Sequence, residues 1–302
     1  MPRFAILEAP STLGLRPSGV EDLPEALIKA GLGTRLAATH AGRLDPPPYD
    51  SLRDTTTGLL NPTGLREYSL RLAGAVSDLV RDGRFPIVLG GDCSILLGAM
   101  LGLRRLGRYG LFFLDGHADF YQPEASPTGE AADMDLALVS GRGPGVVADI
   151  DGFRPYVLDA DIVVFGARDA AQAAQHGSQD VRATGMQVFD LEQARGPGVI
   201  AAATGALSSL LDKELVGFWI HLDADVLDDA VMSAVDYRMP GGLALAELRD
   251  LLRTLVATRK AVGMTIAIFN PRLDGDGSIA LALVDSIVAG IGTASHQGQH
   301  SS

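Results

Sequence analysis

The residue types best suited to chemistry in this chain are Cys93, Asp115, His117, Asp119, Asp223 and Asp225, each placed just after a short apolar run. Leu-Phe-Phe-Leu leads into Asp115-Gly116-His117-Ala118-Asp119. Alternate side chains of an extended segment project to one face, so these three potential ligands share a side. Phe218-Trp219-Ile220-His221-Leu222 leads into Asp223-Ala224-Asp225 with the same spacing. Pro-Ile-Val-Leu leads into Gly90-Gly91-Asp92-Cys93-Ser94, where two glycines allow a sharp turn and a helix is expected from Ser94. A thiol at a helix start ionises more easily and becomes a better ligand. Each segment also has a plainer reading, as an inert buried cysteine or a solvated Asp-rich turn. Yet burying carboxylates and an imidazole together costs several kcal/mol unless a cation compensates. Taken jointly, the aspartates, His117 and Cys93 carry too much negative charge for one divalent ion and suit two. Two ions ~4 Å apart can share bridging carboxylates and hold a hydroxide between them, a nucleophile available at neutral pH.

Apolar strand-like runs at 4–8, 86–89, 110–114, 162–165, 186–189, 217–222 and 262–269 position these groups. Most are apolar throughout rather than alternating, as strands covered on both faces are. Helical periodicity fills the intervals at 65–82, 94–106, 170–183, 199–211, 244–258 and 279–289. Strand and helix in alternation predict a mostly parallel sheet between helical layers, with the chemistry beyond the carboxyl ends of its strands. The segments 43–61 and 122–127 read as ordered loops, and 239–243 as a turn near the pocket rim. No repeat or long polar linker divides the chain. It reads as one domain over 1–292, followed by a polar tail over 293–302 that is expected to fray.

The 302 residues are 47% hydrophobic, enough for a sizeable core, and carry 25 Lys plus Arg against 37 Asp plus Glu, a net charge of −12. An acidic surface without a basic stripe argues against nucleic acid as a partner. A single cysteine allows no intrachain disulfide, which suits a reducing compartment. No run reaches the roughly 18 apolar residues of a membrane span, and the first residues lack the charged head and apolar run of a secretory signal. A cytoplasmic location is expected.

Gly-Gly-Asp-Cys-Ser, Asp-Gly-His-Ala-Asp and His-Leu-Asp-Ala-Asp-Val-Leu-Asp resemble, in order and spacing, the three signature segments of the arginase/agmatinase ureohydrolases. The resemblance runs from about Asn61 to Gly292 and takes in Asn61-Pro62-Thr63-Gly64 and Gly-Ala-Arg168-Asp169. It implies a three-layer α/β/α fold with a mostly parallel sheet of about eight strands. It also implies two divalent metal ions, manganese first, that hydrolyse a C–N bond of a guanidino-type small molecule in a homo-oligomer, trimer or hexamer. Carried over by residue, Cys93, Asp115, Asp119 and Asp223 would hold one ion, and Asp115, His117, Asp223 and Asp225 the other. Asp119 would also orient the bridging hydroxide.

Departures from that pattern are equally informative. Cys93 replaces a histidine, as in the Nω-hydroxy-L-arginine amidinohydrolase branch, and a softer thiolate admits zinc or iron at the first site. Ile268 stands where the family carries a guanidinium-gripping glutamate. Arg168-Asp169 is followed by Ala170-Ala171 without the further aspartate of arginases. The loop histidine has no match in Thr128-Gly129-Glu130-Ala131-Ala132-Asp133. Glu130 or Asp133 is the expected replacement for the lost carboxylate, and His221 and Asp228 are expected to support the ligands from behind. His40, His176, His296 and His300 read as surface residues. The alternative is a degenerate member that keeps the fold as a metal-binding or scaffold protein. A zinc deacylase of related fold fits less well, because its paired histidine motif is absent.

Overall fold

Side chains of Gly110–Leu114 and Phe218–Asp223 are buried on both faces, as parallel strands between two helical layers must be. The computed structural model describes residues 2–292, so the expected fraying of 293–302 lies outside the described residues. The strands are β1 (Arg3–Ala9), β2 (Thr39–Arg43), β3 (Arg84–Gly90), β4 (Gly110–Leu114), β5 (Ile162–Phe165), β6 (Gln187–Phe189), β7 (Phe218–Asp223) and β8 (Ala261–Ala267). They form one eight-stranded sheet in the order β2-β1-β3-β8-β7-β4-β5-β6, with every pairing parallel.

Alternation along the strands divides the core in two. Phe112 and Leu114 of β4 join Ile220 and Leu222 of β7 on one face, against the helices Val199–Leu211, Leu245–Ala257 and Ser278–Ile291. Leu111, Phe113 and Trp219 lie on the other, against Pro62–Arg81 and Ile95–Arg104. This is the three-layer α/β/α architecture. Register then aligns the chemistry: Phe113 pairs with His221, Leu114 with Leu222, and Asp223 with Ala267. The carboxyl ends of β3, β4, β7 and β8 therefore finish at one level, where ligands of parallel sheets bind.

The sequence reading missed β2, whose residues Thr39–Arg43 are largely exposed at the sheet edge and carry no apolar signal. The helix expected over 170–183 stops at Gln175 and resumes only as a short 3-10 turn at Val181–Ala183. Gly177 at φ 76° breaks it. The last strand ends at Ala267 rather than 269, because Ile268 turns into the left-handed region at φ 72°.

Close approach of backbones fixes the turn after β3. A Cβ on Gly91 would lie 2.0 Å from the Ser11 carbonyl oxygen. Substituting Gly91→Ala is expected to cost about 3 kcal/mol or more, in the range of severe steric substitutions. Chemical denaturation measures it, and a loss indistinguishable from zero would show that this turn is not set by contact with Ser11.

Candidate metal centre and pocket

Hydrogen bonds from the backbone aim the acidic groups inward. Asp92 accepts from the amides of Gly14 (3.1 Å) and Ser94 (2.7 Å), which locks the turn that delivers Cys93. Asp223 accepts from the Asp225 amide through Oδ1 (2.7 Å), while Oδ2 accepts from the Cys93 thiol (2.9 Å). Asp115 Oδ1 accepts from the His117 amide (2.7 Å). Asp225 Oδ1 accepts from the Gly116 amide (3.1 Å), and its Oδ2 lies 2.9 Å from His117 Nδ1. Gly116 has no room for a side chain, since a Cβ would meet Arg168 Nη1 at 2.6 Å and the Asp225 carbonyl oxygen at 2.7 Å. Asp119 takes φ 43°, a left-handed conformation that aspartate tolerates better than most residues.

The structure thus brings together Cys93, Asp115, His117, Asp119, Asp223 and Asp225. Donor atoms of Cys93, Asp115 and Asp223 lie within 4.8 Å of one another, as do those of Asp115, His117 and Asp119. Asp115 Oδ2 is buried with no hydrogen-bond partner. A buried orphan oxygen at the centre of a ring of acids has bonding capacity that a divalent cation satisfies, so the residues fit such a group.

Electrostatics show the strain of this crowding. Burial, then neighbouring carboxylates, push Asp115, Asp119 and Asp223 well above the usual range. Burial opposes charge on His117, but Asp225 and its neighbours outweigh it and raise the imidazole to about 9. Burial and then Asp223 also push the Cys93 thiol up. This corrects the expectation that a helix start would ionise it: Ser94, not Cys93, holds the position before the helix Ile95–Arg104, and Cys93 is buried among acids. Burial and the surrounding acids thus favour the neutral thiol over the thiolate.

Above the cluster lies a pocket of about 120 Å³, lined among others by Leu15, His117, Asp119, Glu130, Asp133, Asp169, Asp223, Asp225, Tyr237 and Ile268. Glu130 and Asp133, expected near the metals, both reach it. Glu130 accepts from the Arg16 amide (3.1 Å) and the Tyr237 hydroxyl (3.3 Å). Asp133 Oδ2 accepts from Ser126 (2.9 Å), while its buried Oδ1 has no partner. Burial raises Asp133 to about 7.

His221 and Asp228 behave differently from expectation. Asp228 accepts from the amides of Ala230 (2.9 Å) and Gly241 (2.6 Å), holding the turn at 239–243 rather than a ligand. His221 contacts none of the predicted carboxylates by hydrogen bond. Its Nδ1 lies 2.7 Å from Thr265 Oγ1, its Nε2 faces Asp135 at 3.8 Å, and burial pushes the ring down to about 3.

Asp135 and Tyr237 escaped the sequence reading, and Asp169, His176 and Arg168 were named there without a place at the site. Asp135 is fully buried. The available signal was a lone acid inside the apolar run Met134–Val139. Tyr237 stands edge-on to His117 at 6.5 Å. Asp169 accepts from the Ala118 amide (3.1 Å) at the pocket wall. His176 is exposed, as expected, but lies on the pocket lining with Nδ1 3.1 Å from the Tyr121 hydroxyl. Arg168 donates through Nη2 to the carbonyls of Asp225 (2.8 Å), Met239 (3.1 Å) and Leu227 (3.3 Å). Among the described residues no helix is long and apolar enough to cross a membrane.

The profile of the arginase family matches residues 2–291. The arginase of Bacillus caldovelox is 28% identical over 297 residues, covering 95% of this chain and 98% of that one. The arginase of Brevibacillus brevis is 30% identical over 292 residues, covering 94% and 97%. The solved structure of the Bacillus caldovelox arginase superposes with a TM-score of 0.88 at 26% identity, covering 96% and 98%.

The electrostatics set a pH dependence. A carboxyl held above its free value keeps a proton in the folded chain that the unfolded chain has released, so stability falls as pH rises. Burial sets this for Asp92 up to about 6 and for Asp133 up to about 7, and Asp115, Asp119 and Asp223, all raised, act in the same direction. His117, raised to about 9, adds stability that is lost through that value. His221 opposes the trend only below its free value of about 6.5. The metal-free protein is expected to lose Tm steadily from about pH 6.5 to about pH 9, and saturating Mn²⁺ to flatten the slope. Differential scanning fluorimetry reads both curves; a metal-free Tm that holds or rises would contradict the crowding.

Proposed function

The chain belongs to the arginase family of ureohydrolases, and on that premise we propose that it is a binuclear-metal amidinohydrolase cleaving a C–N bond of a guanidino or N-hydroxyguanidino substrate. The observation that carries this reading is the buried, unpartnered Asp115 Oδ2 among converging acids, three of which (Asp119, Asp223 and Asp225) line the pocket. Two divalent ions, manganese first given the oxygen and nitrogen donors, supply an ionised water as nucleophile at neutral pH when bound.

The residues divide the remaining work. Asp115 and Asp223 lie at the centre of the set and would serve both ions. Cys93 and Asp119 flank one side, His117 and Asp225 the other. The Asp119 carboxylate would accept the hydroxyl proton left after attack and pass it to the departing amine nitrogen. A cationic guanidinium entering the pocket would satisfy the Asp133 Oδ1 orphan and the Glu130 carboxylate, while Ile268 offers an apolar wall.

With Mn²⁺ supplied, release of urea or hydroxyurea is expected from one or more of arginine, N-hydroxyarginine, agmatine and guanidinobutyrate. Silence with all of these and with a wider amidine panel would overturn the reading. Substituting Asp119→Asn should lower kcat about 10²–10⁴-fold, the usual share of a proton-transfer group, with a measurable metal complement retained.

Glu130→Gln and Asp133→Asn should each raise KM about tenfold or more for a cationic substrate, the loss of a charge-assisted hydrogen bond. If neither changes turnover of any accepted substrate, neither replaces the missing carboxylate.

A second reading draws on Ile268, whose apolar side chain lines the pocket where the family pattern has glutamate. It makes the chain a metal-binding or scaffold member without guanidine hydrolysis. Elemental analysis separates the two, since two metals per chain support catalysis and none after reconstitution supports the scaffold.

A further inference from the structure

On the core side of the pocket carboxylates, three donors of different chemistry converge without any assigned task. Asp135 is fully buried, and neither of its carboxylate oxygens has a hydrogen-bond partner. His221 is fully buried as well, and its Nε2 has none. These two groups face each other at 3.8 Å, beyond hydrogen-bond reach. The Cys93 Sγ completes the triangle, all three donor atoms lying within 4.8 Å of one another.

The ring of His221 is held ready. Phe113 stacks on it at 4.9 Å between ring centres. Its Nδ1 lies 2.7 Å from Thr265 Oγ1, which also accepts from Trp219 Nε1 at 3.3 Å. With the Nδ1 proton given to Thr265, the Nε2 lone pair points toward Asp135, the arrangement that metal-bound histidines take. Orphaned buried carboxylate and imidazole atoms are rare and call for a reason. A proton shared between them would draw them into a hydrogen bond, which the separation rules out. An ion between them would not: tetrahedral zinc, with bonds of about 2.0–2.3 Å, spaces its ligand atoms roughly 3.3–3.8 Å apart.

We propose that Cys93, Asp135 and His221 form a zinc site of their own, inboard of the pocket, with Asp223 at its border. Mixed sulfur, nitrogen and oxygen donors in a tetrahedral set suit zinc, whereas the pocket's carboxylates suit manganese. Cys93 is the shared member, since its Sγ is also within reach of Asp115 and Asp223. The chain would thus sort two metals by donor softness across a single thiolate. The site stands whether or not the pocket hydrolyses a guanidine.

The test uses the full chain, stripped of metal and then loaded with Zn²⁺, Mn²⁺ or both, with metal content measured after desalting. Wild type is expected to keep one zinc per chain that excess Mn²⁺ does not displace. Asp135→Asn and His221→Gln should each weaken zinc more than about 100-fold while leaving manganese content intact, and Thr265→Val should weaken it about 10–100-fold. Cobalt substitution gives a second readout: a thiolate-to-cobalt charge-transfer band that fades in His221→Gln. Asp135→Leu guards against variants that fail to fold, since replacing an orphan acid by an apolar residue should stabilise the metal-free chain while abolishing the zinc. The proposal falls if wild type retains no zinc beside manganese, or if Asp135→Leu binds zinc as wild type does.

Discussion

Repulsion among Asp115, Asp119, Asp135, Asp223 and Asp225 is the constraint around which this molecule is organised. All five are buried; burial and then neighbouring carboxylates push Asp115, Asp119, Asp135 and Asp223 up, while His117 outweighs burial at Asp225 and holds it down. A buried carboxylate in apolar surroundings is costly by itself, and several together are tolerable only with protons or cations among them. The fold holds them there regardless. Backbone amides of Gly116, His117 and Asp225 fix the carboxylates one by one, and parallel strands in register bring their ends to a common level. The scaffold's stability is thereby tied to whatever neutralises the cluster, as in other proteins whose ligands are assembled before the ion arrives.

Much of this was legible in the sequence because central strands and ligand spacing leave local signatures. Leu-Phe-Phe-Leu before Asp-x-His-x-Asp marks both a buried strand and the donor groups at its carboxyl end. Val199–Leu211 was bounded to the residue by its apolar periodicity. The features that escaped depend on tertiary approach. β2 is exposed and short, so its pairing with β1 rather than its composition makes it a strand. Asp135 lies far along the chain from both Cys93 and His221, and only the fold brings the three together. The ionisation of Cys93 was misjudged for the same reason: its environment is set by residues of β4 and β7, whereas the helix beside it is all that the sequence displays.

Apart from Cys93, the departures from the family pattern lie around the pocket rather than among the converging carboxylates. Ile268 is a β-branched residue at φ 72°, where such side chains are strained. Its amide donates to the Gly91 carbonyl at 2.8 Å, tying β8 to the turn that carries Cys93. The backbone path therefore stays fixed by that bond even though the residue is poorly suited to it. Ile268 shares the cavity lining with two acids, Glu130 and Asp133.

Arg168 adds a mechanical consequence. One nitrogen of its guanidinium holds the carbonyls of Asp225, Leu227 and Met239, joining the segment that carries an acid of the cluster to the turn at 239–243. Swinging that turn outward would break the bond to Met239 or pull on the peptide that carries the Asp225 carboxylate. The position of the 239–243 turn is thus coupled, through one guanidinium, to the backbone beneath an acid of the cluster.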